Sequence, residues 1–212
     1  MLREDPLGGQ IGEFGFRGGK IEYHVEGSGE PVLVVHGMSG GWDSYDWRYI
    51  FDCLAGRFRV YALDLARPSE RLVHGRSYYA GAVEAFIRQV TQARTSIIAS
   101  PDEAQFVLLA AFQAPGQVDK VVLAYPDGTI TVRAHDSIAR DAVELKLGIP
   151  SIEEIAGCRP WRSKGCGASL RRFATGRIAG IGGCNALFRR AGGSPGGINP
   201  LRFCDDAIRF LG

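Results

Sequence analysis

The sequence predicts an α/β protein built on a mostly parallel sheet with flanking helices. Two observations carry that expectation. Short apolar runs bounded by glycine or polar residues recur at Pro31–Val35, Phe58–Asp64, Ser96–Ala99 and Val118–Ala124. Between them lie amphipathic segments of ~10 to 15 residues, and strands alternating with helical patterns of that length argue for βαβ units.

Taken in order, the first element reads as a hairpin. Phe14-Gly15-Phe16 leads to a Gly18-Gly19 turn, after which Ile21 to Val25 alternate apolar and polar, as a half-exposed antiparallel pair requires. Pro31 to Val35 is apolar throughout, which suits a strand covered on both faces. Tyr45 to Ala55 then places Trp47, Ile50, Phe51 and Leu54 at helical spacing, before the strand ending at Asp64. A helix over Tyr78 to Thr91 follows, with Val83, Phe86, Ile87 and Val90 on one face. The strand Ser96–Ala99, a helix from Asp102 to Phe112 and the strand Val118–Ala124 complete the front of the chain. No second apolar strand is evident after Val132, and the Gly-rich tail beyond Gly157 is expected to pack poorly, because it loses much backbone entropy for little apolar burial.

Composition limits the function classes. The chain has 212 residues, 45% hydrophobic and 23% charged, with a formal net charge of +2. That charge is too small to steer nucleic acid or a membrane surface. The balance is uneven, with 12 Lys+Arg against 15 Asp+Glu in residues 1–125 and 13 against 8 in residues 126–212. The stretch 157–204 has no acidic residue but holds Arg159, Arg162, Lys164, Arg171, Arg172, Arg177, Arg189 and Arg190; it lacks a nucleic-acid motif or regular aromatic interleaving. The five cysteines, Cys53, Cys158, Cys166, Cys184 and Cys204, form no C-x-x-C pair and have no histidine at metal-ligand spacing. They read as buried free thiols, with no metal and no cofactor expected. No apolar run approaches the ~20 residues that span a bilayer and no apolar leader is present, so the protein reads as cytoplasmic.

Three segments carry a family resemblance: Val34-Val35-His36-Gly37-Met38, then Ser44-Tyr45-Asp46-Trp47-Arg48, then Val60-Tyr61-Ala62-Leu63-Asp64-Leu65. This succession resembles the α/β-hydrolase fold, in which a strand ending in His-Gly, an oxyanion loop, a helix and a strand ending in aspartate follow one another. The resemblance spans residues ~15–125 and returns at 191–211, where Ala191-Gly192-Gly193-Ser194-Pro195 and the final helix are similar to the family's closing segment. It implies one domain over residues 1–212: a well-matched core at 15–125, a shortened irregular cap region at 126–190, and a closing segment with the final helix at 191–212. It also implies that His36, Gly37 and Met38 form the oxyanion loop, with the Met38 N–H facing a developing oxyanion. His36 taken alone reads as a structural turn histidine.

The catalytic positions depart from the family. Its nucleophile elbow falls on Ala99-Ser100-Pro101-Asp102-Glu103-Ala104, with Pro101 in the nucleophile's place, and a shift of one residue would put Asp102 there. Ser-Pro-Asp-Glu is equally a helix N-terminus, with Ser100 as cap, Pro101 in the first turn and acids complementing the dipole. At the family's histidine stands Gly193, so no imidazole remains to act as base. Substitutes are Asp102 or Ser100 as nucleophile with Asp127 and His135 as acid and base; Tyr125-Pro126-Asp127-Gly128 is also a turn signature. Asp64 sits at a strand's carboxyl end, where α/β ligands collect, though capping is the commoner role there.

Two functions remain open. One is a hydrolase of a small ester, lactone or similar neutral substrate, weak because the usual nucleophile and histidine are missing. The other is a catalytically silent relative that at most binds a small ligand, or the product of a disrupted gene: Gly, Arg, Ala, Pro and Cys are what out-of-frame reading of a GC-rich gene supplies, and residues 66–76 and 157–190 have that character. In both, the expected partner is a small molecule, with no nucleic acid and no membrane.

Overall fold

The computed structural model describes residues 7–36, 43–65, 76–99, 104–125, 170–172, 178–182 and 200–212. Two strands open the chain, β1 (Gln10–Phe16) and β2 (Gly19–Glu26), paired antiparallel with Phe16 opposite Gly19. That register leaves Arg17 and Gly18 as the two-residue loop, both at positive φ (48° and 81°). Such a turn matches the right-handed twist of its strands. The expected Gly18-Gly19 turn is therefore displaced by one residue, with Arg17 adopting the left-handed conformation that composition alone assigns to glycine.

The βαβ alternation follows. β3 (Pro31–Val35) leads through a 3-10 turn (Ser44–Trp47) to the short helix α1 (Phe51–Ala55), and β4 (Arg59–Asp64) comes next. The helix expected over Tyr45 to Ala55 is thus split, its first turn wound on i to i+3 bonds such as Arg48 N–H to Tyr45 O (3.1 Å). Then come α2 (Arg76–Phe86), a wider π turn at Ile87–Thr91, β5 (Thr95–Ala99), α3 (Ala104–Gln113) and β6 (Val118–Tyr125). Gln92 ends the π turn at φ 52°, a left-handed cap like those that glycine or asparagine supply at other helix ends. Two strands the sequence hid, β7 (Leu170–Arg172) and β8 (Ile178–Gly182), and the closing helix α4 (Pro200–Leu211) complete the described elements.

All the strands join one sheet in the order β1-β2-β4-β3-β5-β6-β8-β7. β4, β3, β5, β6 and β8 run parallel; the β1-β2 hairpin closes one edge and antiparallel β7 the other. The four strands expected side by side, at 32–35, 60–63, 96–99 and 118–123, are neighbours in that sheet. The expectation of no strand after Val132 is corrected: Ile-Ala-Gly-Ile-Gly has too few large apolar residues to be recognised, and its place comes from pairing along β6.

Side chains alternate across the sheet. Leu33 and Val35 face α2 and α3, within a cluster that includes Tyr61, Leu63, Val83, Phe86, Ile97, Val107 and Leu123. Phe86 is its hub, with the rings of Phe14, Tyr23 and Tyr61 edge-on at 5.2, 5.2 and 5.5 Å. Val32 and Val34 face the other way, among Trp47, Phe51, Leu54, Val60, Ile98, Val122, Phe203, Ala207 and Phe210. The final helix thus supplies part of the core, while residues 158–169, 173–177 and 183–199 of the tail expected to pack poorly lie outside the described residues. Phe203, Cys204, Ala207, Phe210 and Leu211 form one apolar stripe on α4, and burying each phenylalanine contributes roughly 1.5–3 kcal/mol. Lys120 on β6 donates to the Leu211 carbonyl (2.7 Å), capping the last turn of α4.

Cys53 on α1 and Cys204 on α4 form a disulfide across a sequence separation of 151, with Cα atoms 6.4 Å apart. This corrects the free-thiol expectation for that pair. Spacing could not reveal it, because docking α4 beside α1 is what brings the sulfurs together. Reduction, or Cys204→Ser, is expected to lower stability by about 2–4 kcal/mol and to expose α4 to proteolysis, as urea denaturation and limited digestion with and without reductant will measure.

Burial also fixes an alkaline limit. Tyr61 and Tyr79 are buried, and burial pushes both hydroxyls up from their ordinary value of 10.0; Tyr23 adds to this at Tyr61, against the opposing Arg59 charge, and Tyr78 adds to it at Tyr79. Below that value both folded and unfolded chains hold the protons. Above it the unfolded chain releases them first and is favoured, so stability is expected to fall as pH rises past 10.0. Urea midpoints at pH 8 and near pH 11 will show it, and Tyr61→Phe and Tyr79→Phe are each expected to flatten the fall.

Candidate functional site

Parallel strands whose ends are level create one edge where loops converge. Val35 lies opposite Leu63 and Ala99, and Ala99 opposite Leu123, so β4, β3 and β5 reach their carboxyl ends within a residue of one row, and β6 runs two residues beyond it. Ligands of open α/β sheets collect outside such a row.

Two polar residues lock this edge. His36, directly after β3 and 2% exposed, accepts the Leu65 N–H at Nε2 (3.1 Å), tying the exit of β3 to the exit of β4. Asp64, the last residue of β4, accepts the Ser44 N–H at Oδ1 (2.7 Å) and so holds the start of the 3-10 turn. Asp43 caps that turn through the Tyr45 N–H (3.1 Å). Asp64 therefore stabilises a turn. His36 is positioned by an N–H of the neighbouring strand.

The remaining sequence-derived candidates lie outside the described residues: Gly37, Met38, Ser100, Asp102, Asp127 and His135, with Pro101 and Gly193 from the departed motifs. By chain continuity Gly37 and Met38 follow His36, Ser100 follows the last residue of β5, and Asp127 stands two residues beyond the last residue of β6. The structure brings His36 and Asp64 together at one edge. It also places His24, which sequence reasoning passed over, with Nε2 at 3.8 Å from Asp64 Oδ2. The available signal was the i, i+2 spacing of Glu22 and His24 on an alternating strand, but nothing in the sequence said that β4 would lie beside it.

A strand leading into His36, a helix, a strand ending at Asp64 and two further βα steps are the succession the resemblance requires. The front half of the chain follows that succession within one sheet, in the order β1-β2-β4-β3-β5-β6. Among solved structures, the chain is similar to a meta-cleavage product hydrolase from Pseudomonas fluorescens IP01, at 23% identity and TM-score 0.48 over 53% of this chain and 43% of that one. A haloalkane dehalogenase from Agrobacterium tumefaciens C58 aligns at 25% identity and TM-score 0.48, over 54% and 40% respectively. An epoxide hydrolase aligns at 20% identity and TM-score 0.49, over 60% and 46%. The chain thus spans less than half the length of each of these structures. No protein-family model and no curated protein matches the sequence.

Replacing His36 removes the acceptor from a buried N–H. His36→Ala is expected to cost about 1–3 kcal/mol from the unsatisfied Leu65 amide, with an added cavity cost, measured by urea denaturation.

Proposed function

We propose that this protein is an α/β-hydrolase-type protein with weak or lost activity toward a small ester, lactone or similar neutral substrate, bound over the level strand ends. The observation that supports this best is how its described histidines are used. His36 holds the Leu65 amide, and His24 Nδ1 is bonded to the Gly8 carbonyl at 3.2 Å. A hydrolase of this type needs an imidazole beside a nucleophile to take its proton, and the family positions for that pair are Pro101 and Gly193.

Loss of either member from a working triad costs ~10⁴ to 10⁶ in rate, because the members act as one unit and oxyanion donors alone leave a small remainder. Turnover of p-nitrophenyl acetate and butyrate is therefore expected at or near the buffer background. Robust turnover would move the reading to substitute residues. Asp102→Asn and His135→Ala should then each abolish it, and activity surviving both would place the chemistry elsewhere.

No helix among the described residues is long and apolar enough to cross a membrane. The cytoplasmic placement expected from sequence competes with the Cys53–Cys204 disulfide, since cytosolic thiols are kept reduced. That bond favours an oxidising compartment.

A further inference from the structure

Three carboxylates share one face across the edge of the sheet. Glu13 on β1 lies opposite Glu22 on β2, and Glu22 lies opposite Asp64 on β4. Like charges directly opposed across strands repel, so each needs a compensating charge. Glu13 has one, Lys20 Nζ at 2.6 Å. Beside Glu22 and Asp64 stands His24, two residues along β2 on the same face.

The imidazole is aimed. Nδ1 bonds the Gly8 carbonyl at 3.2 Å, and since a carbonyl can only accept, Nδ1 is the donor and Nε2 is turned to the carboxylates. Metal-ligating histidines have this arrangement, the distal N–H held by a backbone carbonyl. Asp64 is aimed too: the Ser44 N–H holds Oδ1, which leaves Oδ2 toward His24. The Nε2–Oδ2 separation of 3.8 Å is long for a hydrogen bond but near the roughly 3.3 Å between two donors bound at ~2.0–2.1 Å around a tetrahedral ion. One ligand atom from each of Glu22, His24 and Asp64 lies within 4.8 Å of the others, with His24 buried and Glu22 exposed. The exposed Glu22 leaves the set open to solvent.

We propose that Glu22, His24 and Asp64 bind a divalent transition-metal ion, of which zinc is the type. One imidazole with two carboxylates suits zinc better than calcium or magnesium, which take oxygen ligands. The ion neutralises the two carboxylates left after Lys20 has paired with Glu13, and it clamps β2 to the end of β4. The lack of a metal motif among the cysteines does not bear on this site, whose ligands come from two strands far apart in the chain.

Titration of the full-length protein with zinc chloride tests the site, by calorimetry and thermal unfolding, after alkylation of the thiols outside the disulfide under non-reducing conditions. One ion per chain is expected, with a rise in Tm and an X-ray absorption spectrum showing nitrogen and oxygen but no sulfur neighbours. Glu22→Gln, at an exposed position that leaves folding intact, should weaken binding by about 10-fold or more, and His24→Gln should weaken it further. Absence of zinc binding by the alkylated wild-type chain would overturn the proposal. So would binding that Glu22→Gln leaves unchanged, or a sulfur neighbour in the spectrum.

Discussion

Strand β3 is paired on both edges and covered on both faces, so its register is fixed by every neighbour at once. A slip of one residue against β4 would turn Val32 and Val34 into the aromatic cluster around Phe86, and Leu33 and Val35 against Trp47 and α4. Both faces would then be mispacked together. That constraint sets the row Leu63, Val35, Ala99 and Leu123, and through the row it determines where the loops emerge. The candidate site is a consequence of β3 having no face open to water.

Much of this was legible because β3 needs large apolar residues at every position. An unbroken Pro-Val-Leu-Val-Val run permits little besides a central strand, and the neighbouring runs repeat the requirement. Legibility fell where position came from tertiary pairing. β8 is held along β6 although its Ile-Ala-Gly-Ile-Gly sequence has little apolar bulk. The hairpin turn settled on Arg17-Gly18 because cross-strand register places the loop there, whereas a count of glycines favours the next pair. In the same way, no spacing rule relates Cys53 to Cys204 until α4 is docked on α1.

The site was half readable for a related reason. His36 and Asp64 were singled out from motifs that follow strands, and their local roles follow from backbone geometry: each accepts an N–H from a segment the fold brings alongside. The Leu65 and Ser44 amides lie at strand and turn ends, where the backbone needs side-chain partners. The other motif positions singled out in the sequence, around Pro101 and Gly193, lie outside the described residues. The stability of this architecture resides in β3 and its neighbours, and the fold alone does not fix what chemistry the segments after the strands carry.

Beside the hairpin edge, Glu13, Glu22 and Asp64 form a row that alternating polarity on β1 and β2 makes unavoidable once β2 pairs with β4. A row of opposed carboxylates weakens an edge unless something positive joins it, and Lys20 serves the outermost of the three. The inner two converge on a buried histidine whose far nitrogen is held by the chain just before β1. The β2–β4 contact is also the join between the antiparallel hairpin and the parallel sheet. A positive centre there would act where two sheet geometries meet, and Asp64 would serve two ends, fixing the turn after β3 with one oxygen and the hairpin with the other.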